Sequence, residues 1–208
     1  MCPGTYKGLC QSASGVARDK GMNNFKLESM DFLVNVNRGK DPISVIKRWG
    51  VGEFSHIFAY LGKLSLGIHG VLRYYPFLYE SSGRGVVIES LSNRYGQEVV
   101  VMRLRYPERI PLIVEEAIKL ASDPKSYYDY YCIPLNIVPR VLHDKFGMPL
   151  PQKYDRDEKM VCSEACAEIC WRAKVPVLPE NVVPLPGDFV VSVILNEVNR
   201  GILSEDWV

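Results

Sequence analysis

The sequence predicts an α+β domain built on one core, with an antiparallel sheet packed against helices. Three observations carry this. Short β-branched runs crowd the first half of the chain, helical periodicity dominates the second, and 208 residues suit a single core. Residues 1–29 are polar and weakly patterned, so they read as an N-terminal arm preceding a domain over 30–208.

Taken in order, MDFLVNV (residues 30–36) is apolar and rich in β-formers, hence a strand. In DPISVIKRWG, Asp41 can cap a short helix, Pro42 can open it and Gly50 can end it. FSHIFAYLG (54–62) is apolar on both faces, as a buried strand is, and SLGIHGVLRYY supplies a further strand or hairpin arm. GVVIESL and EVVVMRL, joined by SNRYGQ, predict an antiparallel hairpin. IPLIVEEAIKLA has helical spacing, and the aromatic-rich YYDYYCIPLNIVPRVLHDKFG reads as helix and irregular chain. A helix over VCSEACAEICWRAK must stop near Val175–Pro176. A last amphipathic segment, DFVVSVILNEV, follows Pro-rich chain.

The composition is 47% hydrophobic and 24% charged, with a net charge of +1. Bulk charge therefore gives no footprint for nucleic acid, and no apolar run is long enough for an integral membrane segment. The first residues lack the apolar core of a secretory signal, which favours reduced thiols and a cytoplasmic protein.

Three of the six cysteines stand four residues apart, at Cys162, Cys166 and Cys170. On a helix, residues so spaced hold their Cβ atoms about 5–6 Å apart, beyond the roughly 3.5–4.5 Å of a disulfide. A zinc site is disfavoured as well, since no Cys-x-x-Cys knuckle exists and only Cys132 and His143 are near in sequence. The same lack weakens a thiol-redox reading. No metal or cofactor is implied. Cys166 and Cys170, among alanines and Ile169, read as core.

Cys162 differs by position. It stands at the first turn of its helix, where unpaired N–H groups and the helix dipole stabilise a thiolate. A thiolate nucleophile needs a base and an orienter for that base. Of the three histidines, His69 lies between a turn's glycines and His143 reads as a helix-end cation. His56 sits in the apolar FSHIFAYLG run, either as a hydrogen-bonded core histidine or as the base. Glu89, inside the β-branched GVVIESL, needs a partner there; His56 is one candidate, and Arg84 and Arg103 compete.

The succession FSHIFAYLG, VVIES, VCSEA resembles the circularly permuted papain-like thiol hydrolases of the NlpC superfamily, in the YiiX-like branch. The likeness spans about residues 30–190, and YYDYY resembles a Tyr-Asp element of that group. Ala165 stands where the group usually has a large aliphatic residue. The resemblance implies a permuted papain-like (NlpC-type) fold with Cys162 as nucleophile, His56 as base and Glu89 as orienter. It further implies a cysteine hydrolase, an amidase or peptidase or a related acyl hydrolase or acyltransferase, working through a thioester. The substrate would be a small-molecule, peptide or lipid acyl compound. The alternative is a binding or structural protein that keeps the fold without the chemistry.

Overall fold

The computed structural model describes residues 25–39, 52–68, 71–127, 137–149, 160–180 and 182–208. The helix expected over 41–50, His69, Cys132, most of YYDYY and the polar stretch 150–159 lie outside the described residues.

Six strands form one antiparallel sheet: β1 (Asp31–Val36), β2 (Phe54–Ile68), β3 (Val71–Ser82), β4 (Gly85–Ser90), β5 (Glu98–Leu104) and β6 (Leu195–Ile202). Their spatial order is β4-β3-β2-β1-β5-β6. Among the described residues four helices follow the expected second-half pattern: α1 (Ile110–Ser122), α2 (Val138–Phe146), α3 (Cys162–Arg172) and α4 (Pro186–Val190). Among the described residues no helix is long and apolar enough to cross a membrane.

Alternation along the central strands splits the apolar side chains between two faces. Phe32, Val34, Ile57, Ala59 and Tyr79 meet Ile113 and Ala117 of α1, Cys166 and Ile169 of α3, and Phe189 of α4 in one buried cluster. Leu33, Phe58, Tyr60, Leu78 and Val99 form a second cluster on the other face, closed by Leu91 and Leu203. The start of the described chain joins this second face. Leu27 N–H donates to Trp207 C=O at 2.7 Å, and the rings of Phe25 and Trp207 meet edge-on at 5.4 Å.

The hairpin expected from GVVIESL and EVVVMRL does not form. β4 pairs with β3, whereas β5 pairs with β1 and β6. The connection Leu91–Gln97 crosses beneath three strands instead, opening with a 3₁₀ turn over Leu91–Arg94. Four strand spacings are roughly 19 Å, and a chain of that length reaches roughly 25 Å, so the crossing is taut. Burial of Leu91 in the second cluster holds it against the sheet. A short connection signalled neighbours, but an apolar anchor within it made a crossover cheaper.

The last amphipathic segment divides between α4 and β6, with exposed Val191 and Val193 at the turn between them. The helix over CSEACAEICWR ends at Ala173, and Lys174 takes a left-handed backbone (φ 59°) just before Val175–Pro176.

Gly85, at the start of edge strand β4, has φ +96°, and an added Cβ would lie 2.5 Å from Ser126 O. That carbonyl accepts from Val86 N–H at 3.1 Å and so covers the strand edge. Gly85→Ala is expected to cost about 1–3 kcal/mol from backbone conformation alone, read as a lower urea midpoint at unchanged m-value.

Candidate active site

The site forms where two strands part. The ladder between β2 and β3 runs from Ile68↔Val71 to Ala59↔Tyr79, while β2 continues to Phe54 against β1. The N-terminus of α3 enters the gap. Ser81 Oγ donates to Met160 C=O at 2.6 Å, and Tyr79 O–H donates to Ala165 C=O at 3.2 Å, so β3 grips the helix on both sides of Cys162. Ala165 is fully buried in this contact, in keeping with a small side chain at the helix–sheet junction. The helix start is capped from within, the Glu164 carboxylate accepting Val161 N–H at 2.8 Å.

Cys162 meets His56 in a side-chain hydrogen bond. Ile57 N–H, beyond the end of the β3 ladder, and Ser163 N–H, in the first helical turn, both donate to the sulfur. Burial opposes ionisation of this thiol. The facing imidazolium and the two backbone donors outweigh it and hold the Cys162 pKa below its ordinary value. For His56, burial disfavours the charged ring, but the Cys162 thiolate and then Glu80 raise its pKa to about 10. Each group thus stabilises the charged form of the other. Cys162 keeps 8% of its surface exposed and the His56 side chain 23%, so the pair lies at the rim of the core rather than inside it.

The carboxylate on His56 is that of Glu80, not Glu89. Glu80 Oε2 lies 2.8 Å from His56 Nε2, which leaves Nδ1 as the ring nitrogen for the thiol. Glu80 is fully buried, and its other oxygen, Oε1, accepts from Arg94 Nη2. Burial alone would raise the Glu80 pKa; the hydrogen bonds from His56 and Arg94 bring it below the usual carboxylate value.

Glu89 instead pairs with Arg84 at 2.6 Å and approaches Arg94 at 3.9 Å, one layer behind Glu80. The competing Arg84 partner therefore takes it. Arg103, the other competitor, is committed to Asp31 and Glu28. The physical reason is register: Glu89 lies opposite Leu78 and Glu80 opposite Val87, so the strand nearer β2 supplies the carboxylate beside His56. The sequence held a signal for this. In ESSGRGVVIES the Gly-Arg-Gly turn makes a hairpin whose two glutamates sit on adjacent strands, only the inner of which can neighbour FSHIFAYLG.

Cys166 and Cys170 lie in the core, and burial pushes both thiols up. His143 closes α2, its Nδ1 lying 2.6 Å from Met148 O. Among the described residues no group of three or more His, Cys, Asp or Glu side chains could hold a metal ion.

Compared with known proteins, the chain matches no family model and no curated protein. Among solved structures it is similar to the metalloprotein YiiX from Escherichia coli O157:H7. The TM-score is 0.45 at 16% identity, over 86% of this chain and 100% of that one. The likeness is distant.

Proposed function

We propose that this protein is a cysteine hydrolase acting on an amide or ester carbonyl, with Cys162 as nucleophile, His56 as base and Glu80 as orienter. The observation that supports this most is the pairing of a thiol at a helix N-terminus with an imidazole whose far nitrogen is fixed by a buried carboxylate. Those are the parts of acyl transfer by a thiol.

In this reading the Cys162 thiolate attacks the carbonyl carbon and a tetrahedral oxyanion forms. The Cys162 N–H at the helix start donates to that oxyanion. As the intermediate collapses, the imidazolium gives its proton to the leaving nitrogen or oxygen, and a thioester remains on Cys162. His56, now neutral, takes a proton from water, whose oxygen attacks the thioester; the acid product leaves and the thiol is restored. An acceptor other than water would give acyl transfer by the same steps. The fold reading belongs with it: base and orienter on strands that precede the nucleophile's helix is the chain order of permuted papain-like hydrolases.

The pH window follows from the two shifts. A depressed Cys162 pKa keeps the thiolate present below the range of ordinary thiols, and a His56 pKa of about 10 keeps the imidazolium present until pH rises through that value. Iodoacetamide at pH 6 is expected to label Cys162 while Cys166 and Cys170 stay unmodified, as peptide mass mapping would read. Labelling of Cys162 that rises only near the ordinary thiol value of about 8.5 would instead favour an inert scaffold, with His56–Glu80 a structural ion pair.

A further inference from the structure

Behind the candidate triad the charges continue. From Cys162 they run through His56, Glu80, Arg94 and Glu89 to Arg84, alternating in sign from the core to the surface. Arg94 is the turning point of that series and is carried by the crossover rather than by a strand or α3. It ends the 3₁₀ turn of the crossover Leu91–Gln97, which brings it beneath β2 and β3. Its guanidinium carbon stands 6.0 Å from the centre of the Phe58 ring, within reach of the ring's negative face.

We propose that Arg94 is a positioning residue of this site: by holding Glu80 Oε1 from the crossover, it commits Oε2 to His56 Nε2 and limits how tightly the imidazolium–thiolate pair is held. The inference rests on the hydrolase reading for its effect on turnover, though not for its effect on the His56 ring.

Two features favour this over a general structural role. A carboxylate with no exposed surface has two oxygens to satisfy, and each has one charged donor, His56 for one and Arg94 for the other. Without Arg94 the carboxylate is free to turn, and either oxygen can face the imidazole. Second, Arg94 Nε is buried and has no hydrogen-bond partner among the described residues. The guanidinium forgoes a hydrogen bond in order to stand where Glu80 needs it, a cost that an arginine placed for its own packing would avoid.

The electrostatic consequence has a definite sign. The groups facing His56 and Glu80 are Cys162 and, deeper in α3, Cys166; Arg94 on the crossover; and Glu89 of β4, which is itself balanced by Arg84. Removing Arg94 deletes a positive charge beside the imidazolium's carboxylate, so the imidazolium is held more tightly. A His56 that releases its proton less readily is a poorer acid for the leaving group, so collapse of the intermediate slows.

The test is the titration of His56 by ring ¹⁵N NMR, in wild-type protein, Arg94→Met and Arg94→Lys, each also in a Cys162→Ala background. Arg94→Met is expected to move the His56 midpoint upward by about half to one pH unit in both backgrounds. It is expected to slow turnover of a model thioester or amide about tenfold to a hundredfold, mainly in kcat. Arg94→Lys is expected to restore most of the midpoint, because it returns the charge, but not the rate, because an ammonium lacks the planar fork. A folded Arg94→Met protein with an unmoved His56 midpoint overturns the proposal. Should that variant not fold, Arg94→Lys decides: wild-type turnover in it overturns the positioning role. Failure of the hydrolase reading shows elsewhere, as an ordinary Cys162 alkylation profile in wild-type protein.

Discussion

Glu80→Ala is expected to lower kcat/KM about a thousandfold to ten-thousandfold, while Glu89→Ala costs less than about tenfold. The two residues sit on adjacent strands and carry the same charge, so the contrast isolates position. Glu80 is fully buried with an oxygen on His56 Nε2. Without it the ring can turn or adopt the other tautomer, and the imidazolium loses its counter-charge. Glu89 touches the site only through Arg94, at 3.9 Å, and its main partner is the exposed Arg84, an arrangement worth at most about 1 kcal/mol. Glu80→Gln keeps an acceptor for the Nε2 proton but loses the charge, and is expected to fall between. Equal losses for Glu80→Ala and Glu89→Ala, in folded proteins by circular dichroism, would sink the assignment of Glu80.

The largest effect on stability is expected from Arg103→Met. Asp31 is fully buried at the start of β1, where burial raises its pKa, and Arg103 binds it through Nε and Nη2, both at 2.8 Å. Glu28 N–H adds a third donor at 2.8 Å. Taking away the guanidinium leaves a buried carboxylate without its charge partner, a loss of about 3–5 kcal/mol. Thermal melts should show this as a Tm lower by roughly 8–15 °C. Protonation of Asp31 removes the stranded charge, so the gap between variant and wild type should narrow as pH falls toward the raised Asp31 value and widen above it. Arg103→Met with Asp31→Leu should recover part of the loss, because no charge then remains to be buried.

Much of the fold was legible because it rests on periodicities of local chain. DFLVNV, the FSHIFAYLG run and the helix over CSEACAEICWR are all found where their patterns put them. The position of Cys162 at a helix start was legible for the same reason, since the boundary follows from polar chain before it and Pro176 after it. Two features escaped. The crossover between β4 and β5 depends on Leu91 finding the second core cluster, a tertiary event that connection length does not encode. The choice of Glu80 over Glu89 depends on strand order, because within its own segment each glutamate looks alike. What selects between them is which strand lies beside β2. Arg94 escaped for both reasons at once, being carried by the crossover to a carboxylate that local pattern had not picked out.

The path of the Leu91–Gln97 crossover bears on how the site comes into being. Its far end is fixed only when β5 has docked on β1, and its near end only when β4 has docked on β3. The thiol arrives from a helix more than sixty positions further along. Contacts this distant in sequence are slow to form, because loop-closure entropy is spent before any of them returns it. The constellation therefore has no early version: a chain with only its hairpins and helices made holds the right side chains in the wrong company. The arrangement around His56 is thus a property of the finished molecule, gained only as the sheet is completed.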